Sequence, residues 1–330
     1  MRPSNSLSIF EKACFVAKYI SSNSKINQSR VKLPLDGRFV ELTQICKDNN
    51  DQTIERAKVD YTRPCIKVQS SGTTGKSKTI VHTEKSIIEF ARATVFMDST
   101  MRRGSKTRVF VALPPWIAYG IGNAILNPLI LESSIELSVD FEPDAVYRNI
   151  GSFDMVYAAP FHYRYIRDHY EDLSDEKKKE LALVCSFVAG GDKYSAKENK
   201  EDEEKFGTII VNGYGNNEDW GCMTVNPDHN NHYGSVGIPI PGEVVIIYDN
   251  ENQCELPYGE IGEICSLSKT MFLEYENDAE STEKVKKLHK DGQCYLHTGD
   301  LGYIDKKGFL FLCGRKKSVI VLKNGKKIHK

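Results

Sequence analysis

The chain has 330 residues, of which 40% are hydrophobic, enough to bury the cores of about two domains. Lys and Arg number 44 against 45 Asp and Glu, so the net charge gives no reason to expect nucleic acid or a membrane surface as a partner. The nine cysteines include no C-x-x-C pair, which fits neither a disulfide framework nor a zinc site and favours a reducing compartment, the cytoplasm. The stretch MRPSNSLSIFEKACF has no long apolar run before its first charges, so no signal peptide is expected.

The pattern along the chain predicts an α/β fold. Residues 1–65 are weakly patterned, with an amphipathic helix expected around residues 9–20. Beyond them, short apolar runs alternate with helical stretches such as FHYRYIRDHYEDL and YSAKENKEDEEKF. This alternation predicts a mostly parallel sheet covered by helices. The predicted strands are RVFVAL, DMVYAAP, ALVCSFVAG and GTIIVNGYG.

The first notable motif is QSSGTTGKSKT at residues 69–79, which shares its last letters with the P-loop pattern G-x-x-x-x-G-K-[ST]. Ser70 stands where a P-loop has its first glycine. A P-loop opens into a helix, whereas residues 78–83 are rich in β-branched side chains and predict a strand. A helix is expected to begin after Thr83. We therefore interpret the motif as a phosphate-binding turn between two strands, with a P-loop NTPase as the rival interpretation.

Residues 109–131 carry no charged side chain and could be mistaken for a membrane span. Pro114, Pro115 and Pro128 interrupt the segment, so it predicts a strand, VFVAL, and a later apolar helix rather than a span.

From Gly234 onward, closely spaced strands alternate with turn residues and predict a β-rich subdomain. Asp305-Lys306-Lys307-Gly308 indicates a hairpin turn. The expected organisation is a short N-terminal region at 1–65, an α/β subdomain at 66–233, the β-rich subdomain at 234–313 and a hinge region at 314–330.

Three further motifs follow in order: NGYGNNE at 212–218, HTGD at 297–300 and GRKK at 314–317. Together with SSGTTGKSK they resemble the signature motifs of the adenylate-forming, AMP-binding synthetase superfamily, which includes the acyl-CoA ligases. The resemblance covers about residues 66–328. It implies a large nucleotide-binding domain of parallel sheets and helices with a β-rich subdomain.

The resemblance also implies a site for ATP and Mg²⁺. The loop formed by Ser71, Gly72, Thr73, Thr74 and Gly75 offers amide and hydroxyl donors and would close on the β- and γ-phosphates. Lys78 adds a positive charge to this loop. Asp300 and Arg315 would hold the ribose, and Glu218 would hold Mg²⁺, which prefers oxygen ligands. The remaining expected nucleotide contacts, to the base and the α-phosphate, are Gly191, Asp192, Asn212, Tyr214, Gly215 and Asn217.

The implied reaction joins a carboxylic acid to ATP as an acyl-adenylate and then passes the acyl group to a thiol of CoA or of an acyl or peptidyl carrier protein. Lys78 and Glu218 are the expected catalytic residues. Two rivals remain open at this stage. One is a non-catalytic ATP- or acyl-binding module derived from such an enzyme, and the other is the P-loop NTPase.

The sequence also departs from the superfamily pattern. Asn217 replaces a usual threonine, and Ile117 stands near a frequent histidine, which leaves Trp116 or Tyr119 as the expected wall of the acyl pocket. Pro160 matches the start of a helix that lines that pocket. The resemblance places a hinge at Lys317 and a catalytic lysine on a small lid domain beyond the last residue given. The expectation is an incomplete catalyst that needs a lid, for example one supplied in trans.

Overall fold

The computed structural model describes residues 60–70, 77–94, 107–130, 133–138, 140–151, 153–227, 231–316, 319–321 and 327–329. The helix expected at residues 9–20 lies outside these ranges. The strands, in chain order, are β1 Pro64–Gln69, β2 Thr79–Thr83, β3 Arg108–Val111, β4 Ser134–Leu137, β5 Met155–Ala158, β6 Ser186–Ala189, β7 Ile210–Tyr214, β8 Thr224–Val225, β9 Ile238–Pro239, β10 Val244–Asp249, β11 Cys254–Glu255, β12 Gly262–Leu267, β13 Glu274–Tyr275, β14 Lys286–Leu288, β15 Cys294–Ile304, β16 Leu310–Arg315, β17 Val319–Val321 and β18 Lys327–His329.

The helices are mostly short and lie between these strands. They are α1 Glu84–Thr94, a π-helix Tyr119–Leu126 that continues as α2 Asn127–Ile130, α3 Ala145–Arg148, α4 Pro160–Asp168, α5 Asp175–Leu183, α6 Ala196–Phe206, α7 Ala279–Val285 and two 3₁₀ turns at Tyr170–Asp172 and Asn217–Asp219.

The largest sheet confirms the predicted α/β architecture. Its strand order is β4-β3-β5-β6-β7-β8-β9, and all pairings from β4 to β7 are parallel. Every residue of β5 is buried, as expected for a parallel strand with both faces covered. One apolar cluster around Phe187 and Phe206 fills one face, and a second around Val109 and Met155 fills the other. All four strands predicted from the apolar runs belong to this sheet.

A second, antiparallel sheet forms the predicted β-rich part, with the order β11-β10-β12-β15-β14 and β16 paired to β15. The predicted hairpin joins β15 to β16: the Asp305 amide donates to the Phe309 carbonyl, and Gly308 adopts a φ of +86°. The division of the chain at residues 65, 233 and 313 remains a prediction, and the sheets cross it: β9 joins the parallel sheet, and β13 pairs with β2.

The third sheet settles the nature of the glycine-rich turn. Its order is β1-β2-β13, with β1 and β2 antiparallel on either side of the turn. The chain continues after Lys78 as a strand, and α1 begins only after Thr83, whose hydroxyl accepts a hydrogen bond from the Ser86 amide at 3.4 Å. A P-loop requires a helix where β2 lies, so the P-loop interpretation is wrong.

The uncharged segment at 109–131 folds as predicted, as a buried strand followed by an apolar helix. The two are separated at Pro114 and Pro115, and Gly120 packs directly against the Pro114 carbonyl, where a Cβ would collide. No helix in the described ranges is both long enough and apolar enough to cross a bilayer.

Candidate active site

The phosphate-loop residues Ser71, Gly72, Thr73, Thr74 and Gly75 lie outside the described residues. The two ends of the loop are described and are joined to each other. The Ser70 amide donates to the Lys78 carbonyl at 2.9 Å, and the Lys78 amide donates to the Ser70 hydroxyl at 3.1 Å. The Ser77 hydroxyl donates to the Ser70 carbonyl at 2.6 Å. The loop therefore starts and ends at a fixed point of the β1–β2 hairpin.

Lys78 and Glu218 both contact Tyr275. The Lys78 ammonium lies 4.5 Å from the centroid of the Tyr275 ring, and the Tyr275 hydroxyl donates to Glu218 Oε1 at 2.7 Å. Burial, reinforced by the Glu218 charge, raises the pKa of Tyr275, so its hydroxyl remains a donor. Tyr275 is on β13 and belongs to no recognisable motif, because its contact with Glu218 spans 57 residues.

Asn217 ties this part of the site to two other segments. Its Oδ1 accepts from the Ala118 amide at 3.0 Å, and its Nδ2 donates to the Gln69 carbonyl at 3.3 Å. The buried His82 ring donates from Nε2 to the Asn217 carbonyl at 2.7 Å. Burial lowers the pKa of His82 to about 4, so the ring is neutral at pH 7. Both polar atoms of the Asn217 side chain thus have protein partners, and its expected α-phosphate contact stays a prediction.

Asp300 joins Tyr214 to Arg315. The Tyr214 hydroxyl donates to Asp300 Oδ2 at 2.8 Å, and Arg315 Nε donates to Asp300 Oδ1 at 2.8 Å. The β15–β16 register produces this pair, because it places Asp300 directly opposite Arg315. Burial raises the pKa of Asp300 above its usual range. Each carboxylate oxygen accepts one protein hydrogen bond and keeps capacity for another, which two vicinal hydroxyls could use.

The residues expected around the base differ in exposure and in hydrogen bonding. Gly191 has a φ of +83°, which favours glycine, and the neighbouring exposed Asp192 pairs with Arg164 at 3.1 Å. Asn212 is buried; its Nδ2 donates to the Ser235 carbonyl at 3.4 Å, and its Oδ1 has no hydrogen-bond partner among the described residues.

Gly215 is required by backbone packing. A Cβ there would lie 2.7 Å from the Cys222 Cα, so any other residue would push the two segments apart. The base contacts expected of this region remain predictions.

The expected acyl-pocket residues occupy two different environments. Trp116 is 62% exposed and packs edge-on against Phe141 at 5.3 Å between ring centroids. Tyr119 is buried, donates to the Val188 carbonyl at 3.2 Å and lies against Gly190. Pro160 is the first residue of α4, as predicted. The hinge residue Lys317 lies outside the described residues.

Directly beside Glu218, Asp219 belongs to a closed polar cluster that the sequence did not reveal. Asp219 is fully buried and accepts from the hydroxyls of Ser266 at 2.6 Å and Ser268 at 2.5 Å. Thr270 donates to Asp219 and lies 2.8 Å from Glu243 Oε1. Burial and the Asp219 charge raise the pKa of Glu243 to about 9, so Glu243 is protonated at pH 7.

Comparison with known proteins decides the family. The AMP-binding enzyme family matches residues 8–276 of the chain. The chain belongs to that family. One curated relative is the Bacillus subtilis protein named "Putative acyl--CoA ligase YdaB", which is 30% identical over 76% of this chain and 48% of the relative's length. Another is the malonate–CoA ligase of Arabidopsis thaliana, which is 26% identical over 87% of this chain and 48% of the relative's length.

The structural comparison agrees with this AMP-binding fold. The ATP-bound structure of MatB from Rhodopseudomonas palustris matches with a TM-score of 0.72 and 25% identity, over 84% of this chain and 52% of that one. The chain spans about half the length of the relatives it matches.

Proposed function

We propose that this protein activates a carboxylic acid with ATP as an acyl-adenylate and transfers the acyl group to the thiol of CoA. One observation supports the proposal: residues from separate motifs contact one another or contact a common side chain. Lys78 and Glu218 both contact Tyr275, and Tyr214, Asp300 and Arg315 form a second contact series. Tyr214 ends β7 and Glu218 follows it by four positions, so the chain itself links the two series.

ATP fits these two series of side chains by its chemistry. The loop at residues 71–75 and the Lys78 ammonium would bind the β- and γ-phosphates, where positive charge is needed. The half-buried Glu218 carboxylate suits Mg²⁺, which is commonly held by one or two carboxylates together with substrate phosphates. When bound there, Mg²⁺ would neutralise negative charge on the phosphates.

The nucleoside would extend from the phosphates towards β15. Asp300 would accept hydrogen bonds from the two ribose hydroxyls, while Arg315 and Tyr214 hold its carboxylate in place. The adenine would then lie along β7 and the Gly191 turn, near Tyr214 and Asn212.

In the first half-reaction, a carboxylate oxygen of the acid attacks the α-phosphorus and pyrophosphate leaves. Lys78 and the loop would stabilise the departing pyrophosphate, since fixed donors are most effective where charge accumulates. In the second half-reaction, the CoA thiolate sulfur attacks the acyl carbonyl carbon and AMP leaves. We propose CoA as the acceptor because the curated relatives are named as CoA ligases.

We further propose that the protein works in a reducing compartment, the cytoplasm. Cys65, Cys254 and Cys294 are exposed free thiols, which a reducing compartment preserves.

The test is carboxylate-dependent exchange of labelled pyrophosphate into ATP, with malonate and 4-coumarate as the first acids. Residues 1–330 are assayed alone and with the C-terminal domain of a relative added in trans, because the chain spans about half the length of its relatives. Thioester formation is then measured with CoA and, separately, with a carrier protein. Lys78→Ala should lower exchange by on the order of 10²-fold, with the exposed Lys85→Ala as the matched control.

A non-catalytic nucleotide-binding module remains the alternative outcome of this assay. It would bind Mg-ATP in calorimetry but show no exchange with either acid, with or without the added domain. That result would overturn the proposed reaction and leave the nucleotide site intact.

A further inference from the structure

A second cluster of reactive side chains lies in the antiparallel sheet. Cys265, His289 and His297 each offer one ligating atom, and these three atoms all lie within 4.8 Å of one another. Cys265 and His297 are buried, whereas His289 is half-buried at the edge of the sheet and leaves a route from solvent. Thiolate and imidazole are the ligands that zinc takes in proteins.

The sheet register brings the three residues together. Cys265 on β12 lies directly opposite His297 on β15. His289 follows β14, and its amide donates to the Gln293 carbonyl at 2.9 Å, which closes the turn between β14 and β15. Two of the three residues therefore lie on neighbouring strands, and His289 lies in the turn that joins β14 to β15. Strands hold ligands more exactly placed than loops do.

Both histidine rings are fixed in orientation. The His289 ring is stacked between Tyr248, at 4.1 Å between centroids, and Tyr295, at 4.3 Å. His297 Nδ1 lies 3.0 Å from Glu263 Oε2 and donates its proton there. With Nδ1 protonated, His297 Nε2 carries its lone pair and accepts a hydrogen bond from His289 Nε2. In this way a carboxylate orients a metal-binding histidine.

The supporting carboxylate is itself held in place. Glu263 accepts hydrogen bonds from Asn250 at 2.7 Å, the Gly299 amide at 3.1 Å and Lys316 at 3.2 Å. A Glu263 carboxylate and a Cys265 thiolate would together balance the charge of a divalent ion.

The distances suit a small tetrahedral ion. His289 Nε2 and His297 Nε2 are 2.9 Å apart, joined by a hydrogen bond. Zinc–nitrogen bonds of about 2.0–2.1 Å at a tetrahedral angle place two nitrogens about 3.3 Å apart. A metal ion can therefore bind both nitrogens if the rings separate by a few tenths of an ångström and the His289 proton moves from Nε2 to Nδ1, which leaves the ring neutral.

We propose that Cys265 Sγ, His289 Nε2 and His297 Nε2 form a zinc-class metal site with Glu263 as the carboxylate that orients His297. The protein supplies three ligands, and the fourth position takes water or a small anion. Binding converts the Cys265 thiol to a thiolate and releases its proton to solvent. The lack of a C-x-x-C pair in the chain does not exclude this site, because its ligands come from separate strands and a turn.

The proposal is tested by titrating the metal-free protein with Co²⁺ and then displacing it with Zn²⁺. We expect one Co²⁺ per chain, a thiolate-to-cobalt charge-transfer absorption, and Zn²⁺ competition in the sub-micromolar range. Cys265→Ser should abolish the charge-transfer band, and His289→Gln should weaken Co²⁺ binding at least 100-fold. Glu263→Gln should weaken it 10–100-fold, the usual effect of losing the group that orients a ligand.

Matched controls separate this site from adventitious binding. The exposed Cys254→Ser and the remote His169→Gln should leave the spectrum and the affinity unchanged. Mg-ATP binding by each variant checks that it is folded. If Cys265→Ser does not fold, the loss of Co²⁺ affinity in His289→Gln, at the half-buried edge position, tests the proposal instead. Absence of a charge-transfer band in the parent, or its persistence in Cys265→Ser, would overturn the proposal.

Discussion

Glu218 and Asp219 are adjacent in sequence but belong to two regions with opposite properties. Glu218 is half-buried, follows β7 and accepts a hydrogen bond from Tyr275, whose ring also contacts Lys78. Asp219 is fully buried and receives hydroxyl donors from Ser266 and Ser268. The first region, which we call the open cluster, comprises Lys78, Tyr214, Glu218, Tyr275, Asp300 and Arg315.

The second region, the closed cluster, comprises Asp219, Glu243, Ser266, Ser268 and Thr270. The open cluster keeps accessible charge, as in Arg315, whose side chain is 53% exposed. In the closed cluster the Asp219 carboxylate accepts from three hydroxyls, and among the described residues only the buried Glu243 Oε2 of this cluster lacks a partner. A site that binds ligand needs spare hydrogen-bonding capacity, so we assign binding to the open cluster and stability to the closed one.

The largest expected effect concerns Glu218. Glu218→Gln removes the negative charge while keeping an oxygen that can accept from the Tyr275 hydroxyl. Pyrophosphate exchange should fall by on the order of 10²–10³, because the variant loses a charged ligand for Mg²⁺. The exposed Glu260→Gln is the control and should exchange as the parent does. An unchanged rate in Glu218→Gln would mean that Glu218 serves only to hold Tyr275.

The closed cluster should respond in stability instead. Asp219→Ala leaves buried hydroxyls without their acceptor and should lower the free energy of unfolding by about 2–4 kcal/mol. Urea unfolding measures this loss, with the exposed Asp168→Ala as the control within about 0.5 kcal/mol of the parent. Folded Asp219→Ala should bind AMP as the parent does. A large loss of AMP affinity would show that the closed cluster also contributes to nucleotide binding.

Glu243 gives the closed cluster a pH signature. Its pKa in the folded protein is raised from 4.5 to about 9, so between these values the folded state keeps a proton that the unfolded state has lost. Stability should therefore fall as pH rises across this range. Glu243→Gln removes the titration, so its stability relative to the parent should increase from pH 5 to pH 9. Melting temperatures at pH 5 and 9 test this, and parallel slopes for the two proteins would contradict it.

The smallest effect separates the two contacts of Tyr275. Tyr275→Phe removes the hydrogen bond to Glu218 but keeps the ring beside Lys78. Mg-ATP affinity should weaken by about 0.5–1.5 kcal/mol, the net value of one hydrogen bond. Tyr275→Leu, which loses both contacts, should bind more weakly than Tyr275→Phe in calorimetry. Equal affinities for the two variants would show that the contact between the Tyr275 ring and Lys78 does not contribute to ATP binding.

Local patterns were enough to predict four strands of the largest sheet, the β1–β2 turn and the β15–β16 hairpin, because each depends on residues close in sequence. The open cluster was predictable only where a motif marks it, as at Glu218 and Asp300. Tyr275 and the closed cluster depend on pairings across distant strands, such as β13 with β2. The same holds for Cys265 and His297, which are 32 positions apart and meet only through the β12–β15 register.

The central claim is that Asp300 holds the ribose, and calorimetry with AMP and 2′,3′-dideoxy-AMP tests it most directly. If the Asp300 carboxylate accepts from both ribose hydroxyls, the parent should bind the dideoxy nucleotide roughly 10–100-fold more weakly than AMP. Asp300→Asn should bind AMP more weakly and discriminate little between the two nucleotides. The same discrimination in Asp300→Asn as in the parent would contradict the account, because the hydroxyls would then be recognised elsewhere.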